Sequence, residues 1–346
     1  MKTNKPKLIV VLGPTATGKT RLAAALAYKY GGEIISADSR QVFKGMDIGT
    51  GKDLQDYYIT PEMARAIKSS DWAGLAEIAS KSALKASKSP SGKATKAPKR
   101  PFKVPFYLID IIRPMTDFNV AKYQKLAKKA IAEVLAKGKV PLLVGGTGLY
   151  IDAIIKNYSL QASIPEAKLK AVRQKLDKLS LPQLLAKLKK IDPASYEKID
   201  RQNRRRVQRA VEIYELTGQR KSEADRMRDS DYELLLIGLK FPLEKIYQKI
   251  DSRLEARISE GMAKEIKKLR RAGVSWKRLE DFGLEYRYVS RYLRGLISYD
   301  EMVEQLRNEI HHFAKRQLTW FKRNPDINWL SDIKQADKLI KKFLAK

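Results

Sequence analysis

The sequence predicts an α/β protein in which helices flank a parallel sheet, with a small inserted all-helical domain and a helical C-terminal part. Three observations lead to this fold class. Apolar runs of strand length recur and lead into glycine-rich loops or helices, as at Leu8–Leu12 and Val140–Val144. Residues from about 156 to 200 carry leucine at helical spacing. The stretch that follows the last apolar run, Tyr232–Leu239, is helical again.

The first predicted strand leads into a phosphate-binding motif. Leu8–Leu12 precedes the loop, and an alanine-rich helix follows it; this context makes the sheet P-loop NTPase-like. An ordinary glycine turn is the simpler alternative, but it does not explain the flanking strand and helix. In a P-loop, backbone N–H groups cradle phosphate, the lysine reaches the terminal phosphates and the last residue would hold Mg²⁺. The loop reads Gly13-Pro14-Thr15-Ala16-Thr17-Gly18-Lys19-Thr20, which makes Thr20 the Mg²⁺ residue.

An acidic residue follows the second predicted strand, Glu33–Ala37. Ligands of open α/β sheets bind outside the carboxyl ends of the strands, so Asp38 and the P-loop are expected to face one crevice. Asp38 has the position of a base that accepts a proton from an incoming nucleophile. A surface turn would explain the glycines between residues 38 and 52, but not this position.

The composition changes between about residues 54 and 103. Every charged residue from Lys81 to Lys103 is basic, and this lysine, serine, alanine and proline composition buries little apolar surface. We therefore expect a mobile insertion, which either contacts nucleic acid or is a solvated linker. Val104–Ile111 is the next predicted strand.

The second half of the chain has two regions that favour RNA contact. Five arginines lie between Arg201 and Arg209 at the start of a predicted helix, and cations alternate with aromatics over Phe313–Arg323. A basic helix face is usually only solvated, and Trp320 and Phe321 could equally belong to the core. The expected domains are a P-loop core over 1–155, an inserted helical domain over 156–203, and core completion with the helical C-terminal part over 204–346.

The charge of the chain indicates a polyanionic partner. Lys and Arg number 70 against 39 Asp and Glu, a formal net charge of +31, which points to nucleic acid or an anionic membrane surface. The absence of cysteine excludes disulfides, thiolate zinc sites and cysteine nucleophiles. The only two histidines are adjacent and would point to different sides of a helix, so histidine catalysis is not expected. The chain has no transmembrane-length apolar stretch and no signal-peptide pattern, so a cytoplasmic location is expected.

Six motifs follow one another along the chain. They are the P-loop, Ser36–Phe43, Gly45–Thr50, Leu143–Tyr150, Arg205–Glu212 and Ala314–Phe321. Together they resemble one enzyme family, the tRNA dimethylallyltransferases, in their bacterial form. The resemblance spans residues 8 to about 323, apart from the insertion at 54–103. It implies transfer of a dimethylallyl group from dimethylallyl diphosphate to N6 of adenosine 37, in tRNAs that read codons beginning with U.

The resemblance also implies roles for individual residues. Lys19 and Arg209 would bind the diphosphate with the P-loop, Thr20 would hold Mg²⁺, and Asp38 would take the proton from N6. The implied partners are the anticodon stem-loop of tRNA and dimethylallyl diphosphate, with no membrane, and the enzyme is expected to be a monomer. The implied tRNA-binding residues are Asp38, Ser39, Arg40, Gln41, Thr147, Arg205, Arg206, Gln208, Lys315 and Arg316.

The chain departs from the family pattern at three aromatic positions. The family often has tyrosine where Phe43 stands and histidines where Phe106 and Tyr107 stand, so the hydrogen bonds of those side chains are in question.

Three other functions remain open. A P-loop kinase would leave the net charge unexplained, and a non-catalytic RNA-binding protein would not need an intact P-loop with Asp38. A relative that prenylates free adenine nucleotides would not need a tRNA-sized basic surface.

Overall fold

The computed structural model describes residues 5–75, 77–78, 101–158, 166–224 and 229–345. The chain divides into two compact units. The first, here called the P-loop unit, comprises Met1–Phe118, Leu126–Ile151 and Asp231–Lys346, and the second, the helical unit, comprises Asn119–Lys125 and Asp152–Ser230. Among the described residues, every helix is too short or too polar to cross a membrane.

Six parallel strands form the central sheet of the P-loop unit. Across the sheet their order is Phe106–Tyr107, Gly32–Ala37, Val140–Gly145, Lys7–Leu12, Glu233–Leu239 and Asn328–Leu330. The central strand pairs on both sides, with Ile9 opposite Leu142 on one neighbour and Leu235 on the other. Its apolar residues are buried, as expected where helices cover both faces of a parallel sheet. The α/β fold class is thus confirmed. The strands are β1 (Lys7–Leu12), β2 (Gly32–Ala37), β5 (Phe106–Tyr107), β6 (Val140–Gly145), β7 (Glu233–Leu239) and β8 (Asn328–Leu330), and a separate antiparallel pair is formed by β3 (Tyr58–Ile59) and β4 (Phe102–Lys103).

The helices that pack on or beside this sheet include the alanine-rich helix after the P-loop, whose Leu22–Ala27 segment is buried. A second core lies among the C-terminal helices and includes Phe43 and Met46 from the loop that follows β2. The helices are α1 (Lys19–Tyr30), α2 (Pro61–Lys68), α3 (Val120–Ala136), α4 (Gly148–Ile155), α10 (Leu243–Glu260), α11 (Met262–Arg271), α12 (Trp276–Phe282), α13 (Leu284–Leu293), α14 (Tyr299–Phe321) and α15 (Ile333–Leu344); α3 and α4 extend across the unit boundary.

Part of the expected mobile insertion is folded. Tyr57, Ile59, Ile67 and Trp72 are buried in the same core cluster as α1, and a short 3₁₀ helix, β3 and α2 lie between residues 54 and 68. The expectation of a mobile segment from 54 onwards was therefore wrong for residues 54–75, because their apolar side chains cover one side of the core. The basic stretch over 79–100 lies outside the described residues.

The strand expected over Val104–Ile111 is much shorter. Only Phe106 and Tyr107 pair with β2. Leu108 and Asp110 have φ angles of +65° and +54°, so the backbone leaves the extended conformation directly after this pair.

The helical unit is larger than expected. Its core joins Leu176, Leu184 and Leu188 with Val207 and Val211, which places the arginine-rich helix inside this unit. The expected boundary at residue 203 separates that helix from the side chains on which it packs, so the observed division differs from the expected one. The helices of the unit are α5 (Glu166–Asp177), α6 (Leu181–Ile191), α7 (Pro193–Lys198), α8 (Arg204–Thr217) and α9 (Lys221–Ala224).

Candidate active site

The P-loop connects β1 to α1 by a tight backbone path. Ala16 and Gly18 have positive φ angles of 63° and 77°, so the chain twice enters the left-handed region before the helix begins at Lys19. The Thr17 hydroxyl donates to the Pro14 carbonyl at 2.9 Å and closes the loop from within. Successive N–H groups in such a path form a concave surface that suits an anion.

Lys19 is held beside this surface. Its half-buried ammonium group donates to the Pro14 carbonyl at 3.2 Å and forms no ion pair with a described carboxylate. Burial lowers the pKa of Lys19, with the charge of Asp38 opposing the shift and that of Arg253 adding to it, and the net result is a pKa of about 8. An anion bound at the loop would restore the ordinary preference for the charged amine.

Asp38 stands at the carboxyl end of β2, as the sequence predicted. Its Oδ1 atom accepts hydrogen bonds from the backbone N–H groups of Arg40 at 2.8 Å and Gln41 at 3.3 Å. No described cation pairs with this carboxylate. The carboxylate is thus oriented by backbone donors and retains free lone pairs.

Thr147 ties the glycine loop after β6 to the Asp38 loop. Its hydroxyl accepts a hydrogen bond from the Ser39 N–H at 3.1 Å, and its own N–H donates to the Ala37 carbonyl at 3.2 Å. The Gln41 amide donates to the Gly51 carbonyl at 3.1 Å and holds the far end of the same loop. The structure therefore brings Thr147, Ser39 and Gln41 together around Asp38.

Gln317 joins the P-loop to the glycine loop, and sequence reasoning gave it no role. Its Oε1 accepts from the Thr15 N–H at 2.9 Å, and its Nε2 donates to the Gly146 carbonyl at 2.8 Å. The side chain is buried, and a β-carbon at Gly146 would overlap its amide nitrogen. In the sequence Gln317 directly follows two basic residues, Lys315 and Arg316, which are exposed.

Two arginines on α10 are further site residues that the sequence did not reveal. Arg253 donates to the hydroxyl of Thr15. Arg257, one turn later, is 5% exposed and lies 3.7 Å from the Asp53 carboxylate and 3.9 Å from that of Glu285. Their spacing of four residues was a signal, because it places both on one helix face.

A glutamate holds the glycine-rich loop at residues 47–49. Glu265 accepts hydrogen bonds from the N–H groups of Asp47 at 2.8 Å, Ile48 at 2.7 Å and Gly49 at 3.2 Å. The fully buried side chain of Lys52 donates to the Phe43 carbonyl at 2.7 Å. These contacts explain why a loop of this composition has a fixed path beside the site.

Two cavities meet at this centre. One of about 660 Å³ is lined by the P-loop, including Thr20, and by Asp53 and Asp56. The other, of about 240 Å³, is lined by Ser39, Arg40, Thr147 and Arg316 among others. An anion-binding loop thus lies between two spaces that could each take a reactant. The residues that line both cavities are Thr15, Lys19, Asp38, Thr50 and Arg253.

The three aromatic departures do not line these cavities. Phe43 packs on Phe282 with ring centroids 5.0 Å apart, and Phe106 packs on Tyr57 at 4.5 Å. The Tyr107 hydroxyl donates to Glu33 at 2.7 Å. None of the three is among the cavity-lining residues, so their departure alters the surrounding packing instead of the site.

The remaining residues assigned from the resemblance lie on α8 in the helical unit. Arg209 contacts Glu212, which Arg173 also approaches at 3.3 Å. Gln208 donates to Asp177 at 2.7 Å. Arg205 and Arg206 are exposed. The approach of these residues to the P-loop stays a prediction.

Comparisons with known proteins agree on one family. A family model described as IPP transferase matches residues 91–324, and one described as isopentenyl transferase matches residues 6–59. The chain is 40% identical over 316 residues to tRNA dimethylallyltransferase 1 of Syntrophus aciditrophicus, an alignment that covers 91% of this chain and 89% of the relative. It is 38% identical over 338 residues to the tRNA dimethylallyltransferase of Pelotomaculum thermopropionicum, covering 96% of this chain and 93% of the relative.

A solved structure leads to the same assignment. The crystal structure of the full-length tRNA isopentenylpyrophosphate transferase from Bacillus halodurans matches with a TM-score of 0.62 at 32% identity, and the match covers 99% of this chain and 96% of that chain. The similarity therefore extends over both units and includes the P-loop and the glycine loop. By these matches, the chain belongs to the tRNA dimethylallyltransferase family of transferases.

Proposed function

We propose that this protein transfers the dimethylallyl group of dimethylallyl diphosphate to N6 of adenosine 37 in tRNAs that read codons beginning with U. The observation that carries the proposal is the position of Asp38 and Lys19 where the two cavities meet. A base and a diphosphate site must both reach the bond that forms, and this junction allows it. The family assignment supports the same reaction.

The larger cavity takes the diphosphate. Backbone N–H groups of Gly13–Thr20 and the ammonium of Lys19 neutralise its charge. The single hydroxyl of Thr20 suits Mg²⁺, which commonly binds one or two protein oxygens and completes its shell with phosphate and water. When bound, the ion would stabilise the charge that grows on the leaving diphosphate.

In the transfer step, C1 of the dimethylallyl group exchanges its bond to a diphosphate oxygen for a bond to a nitrogen atom. The N6 lone pair of adenosine forms a bond to C1 of the dimethylallyl group, while the bond between C1 and the diphosphate oxygen breaks and its electron pair leaves with the diphosphate. The Asp38 carboxylate accepts the proton that N6 releases. Backbone donors at Arg40 and Gln41 hold that carboxylate in position.

The smaller cavity takes the adenosine, which must leave the stack of the anticodon loop to reach it. Ser39, Arg40 and Thr147 line this cavity and surround the entering base, whereas Gln41 lines the larger cavity and donates to the Gly51 carbonyl. Exposed cations contact the tRNA phosphates. Arg209 is proposed as a further diphosphate ligand. The phosphate-contacting set is Arg205, Arg206, Lys315 and Arg316, with Gln208 as a neutral neighbour. A cytoplasmic location and a monomeric state also stay predictions.

A direct assay tests the proposal. Purified protein, Mg²⁺ and an unmodified tRNA with a UNN-reading anticodon are incubated with labelled dimethylallyl diphosphate. We expect the label on N6 of adenosine 37. A parallel reaction with ATP and free nucleosides tests the kinase alternative, and phosphate transfer without prenylation would overturn the proposed function. Labelling of free adenine nucleotides but not of tRNA would favour the nucleotide-prenylating relative.

A further inference from the structure

The Gly45–Thr50 motif has no role in the proposed reaction, although part of it reaches the site. Gly49 and Thr50 line the smaller cavity, and Thr50 lines the larger one as well. Gly51, the next residue, also lines the larger cavity. The loop therefore forms part of the wall where the two cavities meet, and the contacts that fix the loop also fix this wall.

One carboxylate on α11 holds the motif. The Oε2 atom of Glu265 accepts hydrogen bonds from the N–H groups of Asp47 and Ile48. Its Oε1 atom accepts a hydrogen bond from the N–H group of Gly49. Three consecutive N–H groups thus converge on both oxygens of one anion. A carboxylate provides two acceptor oxygens for them, whereas an amide provides only one.

A buried tyrosine on α13 holds this carboxylate in turn. The hydroxyl of Tyr286 donates to Oε1 of Glu265 at 2.7 Å, and the tyrosine side chain is fully buried. Burial and the neighbouring charge of Glu265 raise the pKa of Tyr286 well above its ordinary value, so the phenol stays protonated and continues to donate. A β-carbon at Gly49 would lie 2.8 Å from the tyrosine ring. The loop is therefore held both by hydrogen bonds and by close contact with this ring.

Further hydrogen bonds connect the loop to the turn that carries Asp38. The Gly51 N–H donates to the Ile48 carbonyl at 3.2 Å. The Gly51 carbonyl then accepts a hydrogen bond from the side-chain amide of Gln41 at 3.1 Å. Gln41 belongs to the turn whose N–H groups bond the Asp38 carboxylate. A continuous set of hydrogen bonds thus runs from Glu265 to the group that takes the proton in the proposed reaction.

We propose that Glu265 is a positioning residue for prenyl transfer, which fixes the Asp38 carboxylate through the loop and Gln41. The inference rests on the proposed function, because it takes Asp38 to be the base. A displacement of about 1 Å at a reacting group can lower a rate by a factor of about 10², so an anchor at this distance has a measurable effect. Neither Glu265 nor Tyr286 lines a cavity, and substrate affinity should therefore depend little on either.

The first test separates turnover from substrate binding. Glu265→Gln keeps the size of the side chain but leaves one acceptor oxygen for the three loop N–H groups. We expect its single-turnover rate of prenylation, at saturating donor and tRNA, to fall by about tenfold to a hundredfold, with little change in the affinity for either substrate. An unchanged rate, or a loss confined to substrate affinity, would overturn the proposal.

Glu260→Gln is the matched control for this variant. Glu260 is the exposed last residue of α10, and it lines neither cavity. The same chemical change at this position should leave the rate and both affinities unaltered.

A double-mutant cycle tests the route through Gln41. Gln41→Leu removes the amide that bonds the Gly51 carbonyl and keeps a side chain of similar size. If Glu265 acts through this contact, Gln41→Leu lowers the rate much less in the Glu265→Gln background than in the unaltered protein. Fully additive losses would mean that the two residues act independently, and the proposed route would be wrong.

Hydrogen–deuterium exchange follows the same connection without any reaction. We expect Glu265→Gln to speed the exchange of backbone amides over residues 45–52 and over the Asp38 turn, residues 39–42, while exchange in the central sheet stays unchanged. Faster exchange over residues 45–52 alone would show that the anchor does not reach Asp38. Uniformly faster exchange would reduce Glu265 to a role in stability. Either result overturns the proposal.

Two further outcomes are decided by the same measurements. If Glu265→Gln does not fold, as judged by circular dichroism, Tyr286→Phe takes its place, because it removes one hydrogen bond to the carboxylate and keeps the ring against Gly49. An unchanged rate and unchanged exchange in Tyr286→Phe then overturn the proposal. If the unaltered protein transfers no prenyl group, the proposed function fails, and the exchange measurement alone decides whether Glu265 holds the Asp38 turn.

Discussion

In the P-loop unit, Lys19, Asp38 and Arg253 form no ion pair with any described residue. In the helical unit several cations have carboxylate partners instead. Arg201 contacts Glu197 at 2.8 Å, and Arg209 contacts Glu212. Charge that is withdrawn from water without a partner costs free energy, so unpaired groups in a cavity indicate that a ligand supplies the partner.

The cations that are most conspicuous in the sequence are not the ones that lack a counter-charge in the structure. The arginine cluster of α8 is conspicuous in the sequence, yet several of its members are already engaged by the protein. Arg253 belongs to no run of neighbouring arginines in the sequence, and no described carboxylate forms an ion pair with it in the fold. Local density of charge is therefore a weaker guide to a binding site than the absence of counter-charge in three dimensions.

The largest effect is expected at the unpaired carboxylate. Asp38→Asn removes the proton acceptor but keeps the size of the side chain, so turnover should fall by roughly 10² to 10⁴. tRNA affinity should change little. Single-turnover prenylation and filter binding measure the two quantities.

The exposed Asp300 supplies the control for this variant. Asp300→Asn makes the same chemical change on the surface and should leave both quantities unchanged. Near-normal turnover in Asp38→Asn would remove Asp38 as the base and break the link between unpaired charge and function.

Glu33 is a paired carboxylate in the same unit, and its replacement should lower the stability of the fold but not the activity. Burial alone would raise the pKa of Glu33, but hydrogen bonds from Lys139, Tyr107 and Lys137 lower it to about 2. The unfolded pKa of a glutamate is about 4.3. Because the folded pKa is the lower one, the stabilisation is present at neutral pH and is lost as the pH falls from about 5 towards 2.

We expect Glu33→Gln to lower the free energy of unfolding by about 1–2 kcal/mol at pH 7, with the difference shrinking at pH 3, since its lysine partners are half-exposed and screened by solvent. Urea denaturation at several pH values measures this. A constant difference across that range would mean that packing, and not the charge of Glu33, is responsible. Prenyl transfer at pH 7 should stay normal.

The smallest effect concerns two arginines of the helical unit. Arg205 is exposed and has no ion pair with a described residue, whereas Arg201 is held by Glu197 and lies over the ring of Tyr196 at 4.3 Å. Arg205→Ala should lower the slope of log affinity for tRNA against log salt by about one, and Arg201→Ala should change it less. Binding titrations between low and moderate salt measure the slope. Equal slopes for the two variants would mean that pairing does not decide which arginine meets tRNA.

Much of the sheet could be predicted from the sequence because its signals are local. An apolar run before the P-loop marks β1, and runs at Val140–Val144 and Tyr232–Leu239 mark β6 and β7. The position of Asp38 follows from the strand before it. The roles of Lys19, Asp38 and Thr147 in the reaction stay predictions, although the fold brings them together.

The rest of the site depends on contacts that no local pattern contains. Gln317 bonds Thr15 from 302 positions away, and Arg253 reaches the same residue from 238 positions away. On α10, the spacing of Arg253 and Arg257 places both on one helix face, but it does not tell which of them lacks a carboxylate partner. Residues 54–75 were misjudged for a related reason, since Tyr57, Ile67 and Trp72 have no regular spacing and are buried only by the assembled core.

The bridge made by Gln317 limits how this enzyme can vary. One side chain must accept a hydrogen bond from Thr15 and donate one to Gly146. Glutamate lacks the donor, lysine lacks the acceptor, leucine lacks both, and asparagine is one methylene shorter. The spacing between the P-loop and the glycine loop after β6 is thus set by the length of a single amide side chain, and the two loops can diverge only if this residue changes with them.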